Sequence, residues 1–141
     1  MAAPPAWPRE SSNGRAAGLP AAAGEVGERL AADFLRRSGY KILRRNCRTR
    51  LGEIDIVARD GDEVVFVEVK TRSSKSWGLP EDAISAAKRR KISRAAIAFA
   101  DRHRLRERAL RFDVVAVLLE EGREPQVRLY KDAFTISSLH G

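Results

Sequence analysis

Cysteine is almost missing from this 141-residue chain: Cys47 stands alone, so neither an internal disulfide nor a thiolate-held zinc is available. Histidine is nearly as scarce, and His103 and His140 are too few and too far apart for a His-based metal cluster or a Ser–His dyad. No apolar run approaches the ~18 residues of a membrane span. The first eight residues have neither the basic start nor the apolar stretch of a signal peptide. A reduced, cytoplasmic setting without membrane contact is expected. Aromatics make up 6% of the chain, which speaks against recognition of single strands by stacking. Acid is short as well: 19 Asp and Glu face 27 Lys and Arg, for a net charge of +8. That excess points to an anionic partner, nucleic acid first and an anionic membrane surface second. Nucleotide bias is the plain alternative, since 21 of the basic residues are Arg.

What is present suits one soluble domain, with 43% hydrophobic and 33% charged residues. Residues 1–23 are rich in Ala and Pro without apolar periodicity and read as a disordered tail. The domain is expected over 24–141. Residues 25–38 read as a helix, with Val26, Leu30, Ala31, Phe34 and Leu35 on one stripe and Gly39 as the stop. A short strand is expected at 40–43, and two period-2 strands at 53–59 and 64–70 around Asp60-Gly61-Asp62. A loop at 73–80 leads into a long helix over 81–100, opened by Pro80, Glu81 and Asp82. Strands follow at 112–119, central, and 126–131, at an edge.

The hairpin carries the candidate chemistry. Alternation places Val65, Val67 and Val69 on one face of the second strand, and Phe66, Glu68 and Lys70 on the other. On the first strand Ile54, Ile56 and Ala58 take one face, leaving Asp55 and Val57 on the other. A two-residue type II′ turn at Gly61-Asp62 pairs Asp60 with Glu63 and brings Asp55 opposite Glu68, with Cβ atoms about 5 Å apart. A slip of one residue would destroy that pairing. Two half-buried carboxylates so close need a positive neighbour. Lys70 is one candidate. A divalent cation is the better one, because Mg²⁺ takes hard oxygen ligands together with substrate phosphate. Lys70 beside it could orient or deprotonate water, so Asp55…Glu68-x-Lys70 has the makings of metal-assisted phosphodiester hydrolysis. An exposed Glu–Lys ion pair is the ordinary alternative.

Glu28 falls at the border of its helix's apolar stripe, either a third carboxylate for the site or a solvated flank residue. Glu53 shares the side of Asp55 and is a rival ligand. Lys88 sits among Ile84, Ile92, Ala95 and Phe99, either as a snorkelling stem or as a second cation facing phosphate. Three basic runs, at 36–50, 88–94 and 102–111, flank the hairpin and could form a phosphate-binding groove.

Several strings then stand together. They are Gly24-Glu25-x-Gly27-Glu28-x-x-Ala31, Gly39-Tyr40-x-Ile42-Leu43-x-Arg45-Asn46, the run from Gly52 to Ala58, and Val67-Glu68-Val69-Lys70-x-Arg72. With Gly78-x-Pro80-Glu81-x-Ala83, Lys88 and Arg111-Phe112-Asp113-Val114-Val115, they resemble the YraN family of bacterial proteins over residues 24–119. Trp77 stands where a Phe is expected before Gly78. The family is described as predicted endonucleases, and is similar to archaeal Holliday-junction resolvases and restriction-endonuclease-like nucleases. The resemblance implies an α/β fold with a restriction-endonuclease-like core, a mixed four- to five-stranded sheet flanked by helices. It also implies Asp55, Glu68 and Glu28 as metal-site carboxylates, the Val69 backbone carbonyl as a further ligand, and Lys70 as the water-positioning lysine.

The expected function is a Mg²⁺-dependent endonuclease, with Mn²⁺ as the alternative ion, acting on DNA that is branched or otherwise structured. Arg45, Arg48, Arg72 and Lys88 are its expected phosphate contacts. Symmetrical cutting of a four-way junction would call for a homodimer. A non-catalytic nucleic-acid-binding module of the same fold is the alternative. A third reading gives the basic face to an acidic protein, and DNA binding insensitive to salt would favour it.

Overall fold

The computed structural model describes Trp7, Ser11–Ser12 and residues 23–73 and 84–134. In chain order its elements are β1 (Ser11–Ser12), α1 (Ala23–Arg37), β2 (Lys41–Thr49), β3 (Gly52–Asp60), β4 (Glu63–Arg72), α2 (Ala86–Arg102), β5 (Leu110–Leu118) and β6 (Gln126–Phe134). The strands lie in one sheet in that same order. β2, β3 and β4 are antiparallel neighbours, β5 runs parallel to β4, and β6 returns antiparallel along the edge. The two residues of β1 pair in parallel with β2 at Arg44 and Arg45. The single parallel step between long strands is made by α2, as parallel pairing requires a crossover.

The turn sets the register. Gly61 has φ +59 while Asp62 is not at positive φ, the sign pattern of a II′ turn. Asp60 pairs with Glu63, and the ladder continues without a shift to Ile56 opposite Val67. Asp55 and Glu68 are the next residues on the two strands.

Among the described residues each face of the sheet buries one helix. Ala31, Ala32 and Leu35 of α1 pack with Ile56, Ala58, Val65, Val67, Val69, Val115 and Val117. On the other face Ile92, Ala95, Ala96 and Phe99 of α2 pack with Val57, Phe66, Phe112 and Val114. The result is the expected α/β fold, five long strands in a mixed, mostly antiparallel sheet with a helix on either side, consistent with a restriction-endonuclease-like core. No helix among the described residues is long and apolar enough to cross a membrane.

Beyond β1, which lies within the residues read as a disordered tail, and a β6 that runs on to Phe134, three elements differ most from the sequence reading. β2 extends to Thr49, because the Arg-rich run after Leu43 is held in the sheet between β1 and β3. α2 begins at Ala86 rather than at 81: Ser85 is extended (φ −67, ψ 159) and its Oγ accepts the Lys88 N–H at 3.1 Å, a side-chain N-cap. The loop at 74–80 with Trp77, and residues 81–83, lie outside the described residues. The third difference concerns faces. Ile54 packs on the α2 side with Cys47, whereas Ile56 and Ala58 pack on the α1 side. Between the pairs Arg45–Ile56 and Cys47–Ile54 the opposing Asn46 turns to φ +52, so strict alternation stops at Asp55. Irregularities of this kind re-aim a side chain out of the ladder.

At the closed end of the hairpin a buried ionic network ties four strands and the α1–β2 junction together. Asp113 on β5 is 0% exposed. It accepts from Arg111 Nε and Nη2 at 2.9 Å, from the Tyr40 hydroxyl at 2.9 Å and from the Asp132 N–H at 2.9 Å. Arg111 also donates to Glu63 Oε2 (2.7 Å), Asp60 Oδ2 (3.0 Å) and Tyr40 Oη (2.8 Å). Burial and the Asp113 hydrogen bond push the Tyr40 hydroxyl well above its ordinary pKa.

The N-terminal segment contributes one more contact. Trp7 packs against the α2-side core, with the guanidinium groups of Arg59 and Arg108 4.6 and 3.9 Å from its ring centroid.

Candidate functional site

Asp55 leaves the ladder and its carboxylate takes over a ladder partner. The Val69 N–H donates to Asp55 Oδ2 at 2.8 Å. That bond crosses from β4 to β3 and fixes Asp55 next to Glu68, as the II′ register requires. Glu68 is 5% exposed, an acid inside the otherwise apolar Val64–Val69 run. Its Oε1 is held by the Lys88 ammonium, reaching over from the first turn of α2. Lys70, two residues on along the same face, lies close enough to Lys88 to feel its charge.

The cavity around them has a volume of about 460 Å³. Glu28, Asp55, Glu68, Lys70, Arg72 and Lys88 all line it, with Val69 in its wall. The sequence-level candidates Glu28, Asp55, Glu68, Val69, Lys70, Arg72 and Lys88 are therefore brought together. Two are not. Arg48 lines a different cavity, beside the β2–β3 turn. Arg45 lines neither, and its Nε is buried without a hydrogen-bond partner. The rival Glu53 is exposed and faces Arg48 Nε at 3.9 Å.

Glu28 reaches the site because α1 packs tightly on β4. Gly27 lies against Thr71, where a Cβ would collide with Oγ1 and stand 3.1 Å from Thr71 Cβ. In a free helix Gly→Ala stabilises by about 1 kcal/mol. Here the sign reverses: Gly27→Ala is expected to cost about 1–3 kcal/mol through overpacking and to lift Glu28 off the carboxylate pair. Thr71→Ala in the same chain should recover part of the loss. Thermal melts of the two variants decide it, and a Gly27→Ala protein as stable as the parent would refute this packing.

The electrostatics sort the titratable groups into roles. Burial, then the Glu68 carboxylate alongside, push Asp55 up to about 8, against the opposing Val69 hydrogen bond. Burial and the adjacent Lys88 charge lower Lys70. Lys88 moves the other way: burial opposes its charge, but the hydrogen bond and charge of Glu68 more than offset that, and its pKa rises. Of the two neighbouring lysines, Lys88 keeps its proton and Lys70 gives its own up more readily. Titratable pairs driven apart by their surroundings are how acid and base roles are assigned.

The donor set is wholly oxygen: three carboxylates, with the Val69 carbonyl as the fourth expected ligand. It fits a hard divalent ion and not zinc or copper. The carboxylates do not yet close on a point. Among the described residues no three of His, Cys, Asp and Glu are gathered closely enough to hold an ion, and the Lys88 ammonium supplies the charge at Glu68 instead.

The model of the uncharacterised protein family UPF0102 matches residues 27–117. The chain belongs to the UPF0102 family. This is the YraN family of the sequence resemblance. A UPF0102 protein of Trichlorobacter lovleyi is 48% identical over 117 residues, covering 82% of this chain and 92% of that relative. Those of Syntrophus aciditrophicus and Moorella thermoacetica are 48% and 47% identical, over 81% and 79% of this chain and 89% and 93% of theirs. The matched UPF0102 region contains Glu28, Asp55, Glu68, Lys70 and Lys88, and ends beyond Arg111 and Asp113.

Sequence reasoning missed the ion pair between Lys88 and Glu68 and the whole Arg111–Asp113 network. A signal existed for the second: Arg and Asp interrupt an apolar central strand at 111 and 113.

Proposed function

We propose that the chain is a Mg²⁺-dependent endonuclease, with Mn²⁺ as the alternative ion, hydrolysing phosphodiester bonds in branched or otherwise structured DNA. One observation supports this above the others. Adjacent strands deliver Asp55 and Glu68 side by side into a cavity that also holds two lysines of opposite pKa shift. Asp55, Glu68, Glu28 and the Val69 carbonyl would hold the ion, which when bound polarises the phosphate and lowers the pKa of water. Lys70 Nζ, its proton affinity lowered, orients the attacking water and accepts its proton. The oxygen–phosphorus bond forms, the ester P–O bond breaks, and the departing oxygen is reprotonated. Lys88 and Arg72 offset phosphate charge at the cavity, and Arg48 acts farther along the basic surface. This reading places the protein in the cytoplasm, and a second copy would be needed to cut both strands of a four-way junction symmetrically.

A non-catalytic binding module is the second reading, favoured by the Lys88 ammonium already seated on Glu68. Labelled four-way junction, flap, duplex and single strand, each with Mg²⁺, Mn²⁺ or EDTA, separate the two. The nuclease should cut in metal and not in EDTA. Lys70→Ala should lower the rate about 10²–10⁴-fold, the usual worth of a positioned base, while DNA affinity stays within about threefold. Structure-selective binding without cutting in either metal would establish the module instead.

A further inference from the structure

The larger cavity, of about 950 Å³, lies at the far end of α2 and plays no part in the carboxylate chemistry. Arg44 and Arg48 of β2, Arg50 of the β2–β3 turn, and Arg102 and His103 at the end of α2 line it. Among the described residues no Asp or Glu does, although Glu53 stands beside it against Arg48. Two groups register the field inside. Burial lowers His103, and Arg44 and Arg102 lower it further; burial raises the Cys47 thiol, against the pull of the same two arginines. The cavity attracts an anion.

Its walls are not only cationic. Cys47, Ala98 and Phe99 contribute apolar lining, and Leu51 is 52% exposed, an uncovered large apolar side chain in the turn that forms part of the lining. Contacts to an intact duplex backbone need surface cations and no apolar chamber. A nucleotide with its base out of the stack needs both, cations for the phosphate and apolar walls for the base.

α2 connects this cavity to the carboxylates. At 3.6 residues per turn, Lys88, Lys91, Arg94 and Arg102 fall within an arc of roughly 120°. Lys91, Arg94 and Arg102 are exposed. From Lys88 to Arg102 the helix rises about 21 Å, enough for several nucleotides of one strand.

We propose that the cavity at the β2–β3 turn binds an unpaired nucleotide of the same DNA whose phosphate is presented to Asp55 and Glu68. The substrate class is then a duplex carrying a single-stranded arm. The placement of the scissile phosphate rests on the nuclease reading; occupancy of the cavity does not require cutting.

The test is fluorescence anisotropy with the full chain in EDTA, comparing a forked duplex bearing a single-stranded arm with a blunt duplex of equal length across a salt series. Wild type should favour the fork. Arg50→Glu/Arg102→Glu changes two exposed cations and should weaken fork binding about tenfold or more, with a smaller salt slope, and blunt-duplex binding by less than about threefold. Leu51→Ala leaves every charge in place and should weaken the fork alone, by about threefold to tenfold, the worth of the apolar contact area it takes from the wall against the base. Equal losses on both substrates, losses on neither, or wild type without preference for the fork would each overturn the proposal. Cleavage is scored separately in Mg²⁺ and Mn²⁺. A fork-specific loss in a protein that cuts nothing upholds the cavity and removes the nuclease; cutting without fork preference does the reverse.

Discussion

Asp55→Asn should abolish metal-dependent cleavage, by about 10³-fold or more, and at the same time raise the melting temperature of the metal-free protein. The first effect follows from losing an anionic oxygen where charge on the ion must be balanced. The second follows from burial. The folded-state pKa of Asp55, about 8, lies far above the ordinary 3.8. A carboxyl raised in this way binds its proton more tightly in the folded chain than in the unfolded one. Its contribution to stability is therefore fully present below about pH 4 and is lost as pH rises from there to about 8. Asn is isosteric, carries no charge and keeps an oxygen for the Val69 N–H. The gain should be near zero at pH 4 and reach about 5 °C or more at pH 8. Calorimetry of both proteins in EDTA at the two pH values measures it. A variant that melts below wild type at pH 8 would show that Asp55 holds the hairpin open end together and is not a strained site residue.

Asp113→Ala should be the most destabilising single change in the chain outside the apolar core, at about 3–5 kcal/mol. It leaves the Arg111 guanidinium short of its fully buried partner and takes the acceptor from the Tyr40 O–H and the Asp132 N–H, Tyr40 keeping only the bond it accepts from Arg111. Arg111→Met should cost a similar amount, and the double variant Arg111→Met/Asp113→Leu less than the sum, because no buried charge is left uncompensated at 113. Tyr40→Phe removes one hydroxyl, with an expected cost of about 1–2 kcal/mol. Denaturant titration ranks the four. The network lies at the Asp60–Glu63 end of the hairpin, five residues and about 17 Å of strand from Asp55. Cleavage per folded molecule should accordingly stay within a factor of about three of wild type. Loss of activity without loss of stability would place the network in the site's machinery.

Much of the site was legible because the hairpin obeys local rules. Gly61-Asp62 specifies a turn, the turn specifies a register, and the register joins Asp55 to Glu68 before any tertiary contact is known. The two helices were legible from periodicity, α1 to within two residues. The faces of β3 were not. Alternation predicts Ile54 beside Ile56, whereas the left-handed Asn46 on the neighbouring strand rolls Ile54 to the other side, and nothing near Ile54 in the sequence announces it. The start of α2 was misplaced because Pro80, Glu81 and Asp82 are as good a helix opening as Ser85, and only the observed cap decides between them. The length of β2 was hidden by three arginines, Arg44, Arg45 and Arg48, whose pairing partners lie on another strand. Contacts such as Tyr40 with Asp113, or Lys88 with Glu68, join residues 20 to 73 positions apart, and no local pattern encodes them.

The ammonium of Lys88 on Glu68 has a bearing on how the proposed metal site holds together without an ion. Where a bare cluster of carboxylates is the only way to build a site, binding free energy is folding free energy, and the apo chain unfolds. Here one acid is neutralised by a lysine from α2 and the other by its own raised proton affinity, so the native state assembles without waiting for a cation. On the nuclease reading proposed above, foldedness and turnover are thereby uncoupled. A fall in free magnesium would then silence such an enzyme without sending it to the proteases, and activity would return as fast as the ion does, with no new synthesis.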